Sequence, residues 1–205
     1  MLDEVNQFLN ENKEEKYKEF SKNLTSTKYE IYGVRIPKLR KYACKIYKEK
    51  NYLEFLKTKS NIFEINMLKG MVVAYAKDIE LIDNFVKIID DWSICDTTHW
   101  KSKDEKFYNK CLDFLKSDQE FICRWGIVNL LFNFLDEKHI DNIVLKIQKI
   151  KSDKYYVKMA IAWLIQKLYF IDSKNAENLL CNVKDEDVKK MAKQKIRDSL
   201  RERKG

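Results

Sequence analysis

Apolar residues recur at three- and four-residue intervals along almost the whole chain, and convincing period-two alternation is absent. That is the periodicity of helices packed on one face, not of half-buried strands. The spacing predicts helices over about 2–10, 13–24, 37–49, 51–57, 62–77, 79–90, 104–116, 119–134, 138–150, 154–170, 173–181 and 185–203. The clearest punctuation is "GVRIPKLR" at 33–40, where Gly33 closes a loop and Pro37 suits the first turn of the helix that follows.

The helices repeat. "LKSDQEFICRWGIVNLLFNF" from Leu115 and "IKSDKYYVKMAIAWLIQKLY" from Ile150 share one plan at an offset of 35 residues. In both, a Lys-Ser-Asp turn precedes a long apolar helix, and the serine and aspartate are expected to accept hydrogen bonds from that helix's open amides. A degenerate third copy begins near "VKDEDVKKMA" at 183–192, where Val188, Lys189, Met191 and Ala192 echo "VKMA" at 157–160. Helix pairs at this period imply an all-α solenoid of HEAT or armadillo type, whose curved array presents a concave surface to an extended partner. The expected organisation is one domain over 1–205, with N-terminal helices to about 30, repeats over about 33–182 and a basic C-terminal helix from about 183.

Composition narrows the picture. One proline and four glycines in 205 residues leave few turns, in keeping with long helices and short connections. No apolar run approaches the roughly 20 residues of a membrane span. The N-terminal "MLDEVNQFLNENKEE" is acidic and lacks the basic and apolar blocks of a signal peptide, so a cytoplasmic protein is expected. The five cysteines show no Cys-x-x-Cys pair, which indicates neither a disulfide framework nor a zinc site. Forty basic against thirty-two acidic residues give a formal charge of +8, with about half of the excess in the last 22 residues. A basic excess favours polyanionic partners, nucleic acid first among them.

The chemistry-bearing stretch is "DDWSICDTTHW" at 90–100. Were it helical, Trp92 and Asp96 would lie about 40° apart around the axis and line one cleft with a ring and a carboxylate. The bland alternative is that Asp96 caps a helix beginning near Thr97 while Trp92 packs in the core. Trp163, inside "MAIAWLI", reads as core on its own. Arg124, in "FICRWGIV", is less comfortable there, because a permanent charge in an apolar helix needs an acid or a phosphate as partner. Cys95 and His99 are four apart, but two ligands without a second pair make a weak metal signal. Tyr155 and Tyr156, at a helix start, divide between core and surface.

Four ordered blocks, at 32–47, 90–100, 116–134 and 151–169, together resemble the bacterial DNA alkylation repair family of HEAT-repeat proteins over about residues 12–200. The resemblance implies a solenoid that wraps duplex DNA and excises cationic alkylpurines, such as 3-methyladenine and 7-methylguanine, without flipping the base. Its active cleft of two tryptophans, an aspartate and an arginine matches Trp92, Trp163, Asp96 and Arg124 by residue type. Ser93 and Cys95 depart from the residues seen around the aspartate in that family's glycosylases. Other members share the fold and bind DNA, including branched forms, without detected excision, so fold alone does not transfer the reaction.

The residue types suit that chemistry. An N-alkylated purine already carries positive charge and leaves as a neutral base, so no general acid is required and positive charge develops on the sugar. Asp96 would stabilise that charge and orient or deprotonate the attacking water. Trp92 and Trp163 would present electron-rich faces to the cation, and Arg124 would hold the adjacent phosphate. Arg35, Lys38, Arg40, Lys101, Lys103 and Lys158 are candidates for the duplex backbone. The expectation is therefore a cytoplasmic, bacterial, nucleoid-associated monomer acting on alkylated double-stranded DNA, with no metal and no organic cofactor. The alternatives are a non-catalytic reader of duplex or branched DNA and a protein-binding scaffold.

Overall fold

A computed structural model describes residues 1–49 and 51–203. Among them are thirteen α-helices and a single isolated β-bridge, Glu30 to Ile62, so the all-α expectation holds. The chain divides into two compact units, Met1–Trp100 and Lys101–Gly205.

The first unit contains α1 (Leu2–Asn12), α2 (Glu15–Leu24), α3 (Ile36–Lys48), α4 (Tyr52–Lys57), α5 (Phe63–Ala76), α6 (Ile82–Val86) and α7 (Trp92–Thr97). Helix α5 is its centre. Every residue from Phe63 to Val73 is buried, as expected of a helix without a solvent stripe, and α3, α4, α6 and α7 pack around it. Gly70 permits part of this packing, because a Cβ there would stand 2.3 Å from the Phe85 ring and 2.5 Å from the Thr98 methyl. Those residues belong to α6 and to the turn after α7, so the missing side chain lets both close on α5.

Burying a helix on all sides also buries its polar residues. Glu64 is 2% exposed, and its carboxylate accepts from the successive amides of Tyr32, Gly33 and Val34, the shortest bond being 2.6 Å. Three amide donors satisfy a charge that would otherwise be costly to bury. Gly33 makes the turn at φ +90°, where a side chain would be disfavoured and would in addition meet Lys18 at 2.6 Å. Lys69 of α5 is buried as well and donates to the Thr58 carbonyl; burial pushes its pKa down.

The second unit contains α8 (Glu105–Phe114), α9 (Glu120–Asn133), α10 (Ile140–Ile147), α11 (Tyr155–Tyr169), α12 (Ser173–Asn182) and α13 (Glu186–Glu202). Helix α11 packs against both α9 and α13, while α8 packs on α9, α12 on α11, and α10 on α12. Successive helix pairs stacked in two layers are compatible with an α-solenoid. Trp125, fully buried in α9, meets the rings of Phe107 and Phe114 edge-on at centroid distances of 6.0 and 5.8 Å.

The repeated Lys-Ser-Asp turns work differently from the expectation. The serines do accept amides: Gln119 N–H reaches Ser117 Oγ at 3.1 Å, and Lys154 N–H reaches Ser152 Oγ at 3.2 Å. These amides belong to the residues just before α9 and α11, and neither aspartate caps the helix. The open amide of Tyr156, in the first turn of α11, is met instead by Glu120 Oε1 of α9 at 2.7 Å. One repeat therefore caps the next. The expected third copy is α13, started by Asp185, whose side chain accepts from Asp187 and Val188; Val188 and Ala192 are buried, like Val157 and Ala160 in α11.

Candidate active site and nucleic-acid interface

The stretch "DDWSICDTTHW" forms α7, a helix absent from the periodicity reading. Asp91 caps it, accepting from Ser93 N–H at 2.8 Å. Asp96 sits inside the helix, which ends at Thr97; the alternative in which Asp96 caps a helix starting there is overturned. Ile94 and Cys95 are fully buried, whereas Trp92 and Asp96 are half-buried on the side left to them. A six-residue helix thus turns its apolar residues inward and brings a ring and a carboxylate together one turn apart. The indole N–H of Trp92 donates to the Leu24 carbonyl at 3.2 Å. His99 Nδ1 lies 2.7 Å from the Asp96 carbonyl oxygen, so this histidine helps close the helix. Among the described residues no group of three His, Cys, Asp or Glu side chains could hold a metal ion.

The second unit carries the other two residues. Arg124 is 5% exposed, and one of the groups that hold it is Tyr156 of α11. Its Nη1 donates to the Tyr156 carbonyl at 2.9 Å, and the guanidinium carbon is 5.8 Å from the Tyr156 ring centroid. Trp163 is half-buried two turns further along α11, roughly 10 Å on at 1.5 Å per residue. It meets Phe132 of α9 edge-on, with centroids 5.3 Å apart and planes at 89°. Phe132 is 42% exposed, an unusual position for so apolar a group. Arg124 and Trp163 therefore lie along the same α9–α11 seam, each held by an aromatic residue of the other helix. Phe132 was invisible in the apolar run "NLLFNF", since nothing in that pattern separates a residue at the edge of a seam from one beneath it. Tyr155, 54% exposed, and Tyr156, half-buried against the Phe121 ring, divide as expected.

A family model described as "DNA alkylation repair enzyme" matches residues 2–202. The chain belongs to the DNA alkylation repair enzyme family. No curated protein and no solved structure matches it.

Membership of a DNA alkylation repair family makes DNA the partner and an enzyme of repair the class of protein, and the basic residues expected at the duplex backbone can be located. Their surroundings differ. Arg35 and Lys38 both reach Glu14, at 2.8 and 3.4 Å, and the Arg35 bond is the first cause that holds the Glu14 carboxyl below its ordinary range; Arg35 also lies over the Tyr17 ring. Lys103 donates to Asp136 at 2.7 Å and to the Asn133 carbonyl. Lys158 is the most enclosed, its side chain 15% exposed between Asp185 at 2.9 Å and Asp187 at 3.1 Å. Those bonds, Asp185 first, raise its pKa. Arg40 and Lys101 are exposed, and neither makes an ion pair among the described residues. No described helix is long and apolar enough to cross a membrane.

Proposed function

We propose that this member of the DNA alkylation repair family is a DNA glycosylase that hydrolyses the N-glycosidic bond of cationic N3- or N7-alkylated purines in duplex DNA, without flipping the base into a pocket. The observation that carries the reading is the pairing of Trp92 and Asp96 on α7, an indole and a carboxylate one helical turn apart and both half-buried. The alkylated base is its own good leaving group, because it departs neutral. The barrier therefore lies in the positive charge that builds on the deoxyribose.

Asp96 is assigned two tasks on that sugar. Its negative charge stabilises the oxocarbenium-like transition state, and its carboxylate orients or deprotonates the attacking water. Trp92 supplies a polarisable face for the cationic nucleotide, an interaction worth about 0.5–2 kcal/mol. Its N–H is already committed to Leu24, which leaves the ring face as the functional surface. Arg124 is assigned to the phosphate beside the lesion and Trp163 to the nucleotide, with Arg35, Lys38, Arg40, Lys101 and Lys103 as backbone contacts and Lys158 contributing less because Asp185 and Asp187 already hold it. The chemistry described needs only water as co-reactant.

The test is release of free methylated base from methylated duplex DNA at moderate salt, wild type beside Asp96→Asn. Release from wild type that is lost in the variant, with DNA binding preserved, supports the assignment. Tight binding with no release from wild type would make the protein a non-catalytic reader of DNA.

A further inference from the structure

Helix α7 has six residues, too few to hold a direction by its own hydrogen bonds. Its first turn is instead fastened to the segment Leu24–Tyr29, more than fifty residues earlier in the chain. Asp91 is fully buried and divides its carboxylate. Oδ1 accepts from Ser93 N–H and Oγ–H at 2.8 and 2.6 Å, while Oδ2 accepts from Ser26 N–H at 3.1 Å. Capping a helix uses only the first oxygen. The second ties the cap to the segment.

Asp90 repeats the connection from the neighbouring position. Its carboxylate accepts from Thr27 Oγ–H at 2.8 Å and from Lys28 N–H at 2.9 Å. Tyr29 Oη–H donates to the Ile88 carbonyl at 3.1 Å, and Trp92 Nε1–H to the Leu24 carbonyl at 3.2 Å. Bonds therefore run in both directions between the same two short pieces of chain, with Trp92 as the last of them. Two adjacent carboxylates at one turn oppose folding: burial pushes the Asp90 pKa up despite the Lys28 and Thr27 bonds, and the Asp91 charge adds to the rise. A cap alone would need one acid here, not two.

We propose that the Leu24–Tyr29 segment is a strap that sets the orientation of α7 and the Trp92 ring, with Asp91 and Thr27 as its positioning residues. The use to which that orientation is put rests on the glycosylase reading; the strap itself does not. Asp91→Asn is the selective cut, because its amide keeps one acceptor for the cap and loses the other for Ser26. Thr27→Val removes the hydroxyl at nearly constant shape, and Thr27→Ser restores it.

Two readouts separate the ideas. Trp100 and Trp125 are buried, at 4% and 0% exposure, so in a Trp163→Phe background acrylamide quenching reports on Trp92. Both Asp91→Asn and Thr27→Val are expected to raise the quenching constant about twofold while the far-ultraviolet spectrum is kept, and Thr27→Ser to leave it at the parent value. With Trp163 present, the same two variants are expected to lower excision at saturating methylated DNA about tenfold with little change in affinity, the mark of misplaced groups rather than lost binding. Quenching unchanged in both variants overturns the strap, whatever excision does. Raised quenching in a protein whose wild type excises nothing supports the strap and removes only the glycosylase reading.

Discussion

The guanidinium of Arg124 and the backbone of Tyr156 are joined at 2.9 Å across the α9–α11 seam, and the Tyr156 ring flanks the same cation. Tyr156 is itself held by Glu120, from the first turn of α9, through its amide. The path from Glu120 to Tyr156 to Arg124 thus returns to the helix it left, so contacts between two repeats help hold the cation.

That arrangement predicts that Arg124→Lys is not conservative. A lysine keeps the charge but has no planar group to flank a ring, and its single ammonium must replace a fork of donors. In a site 5% exposed, the mismatch is expected to cost about 1–3 kcal/mol of stability. Urea unfolding of wild type and variant measures it directly. An unchanged midpoint and slope would mean that Tyr156 does not hold Arg124 in solution.

A second prediction concerns acid. His139 is buried with Nδ1 2.6 Å from Asp136 Oδ1 and Nε2 3.0 Å from Glu105 Oε1. Glu105 is held below its ordinary pKa first by Lys138 and then by His139; for Asp136, burial pushes upward but Lys103 and His139 outweigh it. Both folded-state values are depressed, so each carboxylate contributes stability that is present above its unfolded pKa, near pH 4, and is lost as pH falls through the folded value. Acid titration followed by the melting midpoint is expected to show a steep loss below about pH 4, and the double change Glu105→Gln, Asp136→Asn to flatten it. An equally steep loss in the double variant would place the acid sensitivity elsewhere.

Gly126 provides a packing test in the middle of α9. A Cβ there would stand 2.8 Å from the Cys111 carbonyl oxygen and 3.0 Å from Phe114 Cβ, so α8 crosses α9 at this point because the residue has no side chain. Gly126→Ala gains helix propensity of about 1 kcal/mol but forces backbone apart, which costs about 1–3 kcal/mol. The contact is with a carbonyl rather than a flexible chain end, so the cost is expected to win. Calorimetry should show a lower melting midpoint; a higher one would mean that α8 yields without loss.

The helices were legible because burial repeats at helical spacing, and twelve of the thirteen α-helices overlap the segments read from that pattern. The thirteenth, α7, was missed because it is short and begins in two acids, and tertiary bonds from Ser26, Thr27 and Lys28 shape its start. The same bonds explain why the apolar spacing over 79–90 runs past the end of α6: the Ile88 carbonyl turns toward Tyr29 and Asp90 toward Thr27, so the pattern continues where the helix stops. Trp92, Asp96, Arg124 and Trp163 were legible as residue types at matching places. Their holders, Leu24, Tyr156 and Phe132, were not. Each lies far away in sequence and belongs to a contact that no local period encodes.

The basic residues yield the last prediction, because their ion pairs divide them. Each phosphate neutralised by a cation lowers the slope of log affinity against log salt by about 0.9 for duplex DNA. A cation already held by carboxylates exchanges one anion for another and contributes less. Lys158, between Asp185 and Asp187, is in that position, whereas Arg40 and Lys101 are exposed and form no ion pair among the described residues. Arg40→Gln and Lys101→Gln are therefore expected each to reduce the magnitude of the salt slope by about 1, and Lys158→Gln to leave it nearly unchanged while lowering the melting midpoint. Fluorescence anisotropy with a short duplex over a range of sodium chloride concentrations gives all three slopes. If Lys158→Gln alone flattened the slope, its pairs with Asp185 and Asp187 would have to break on binding, and those two aspartates would then act as a gate on the DNA surface instead of a brace for α13.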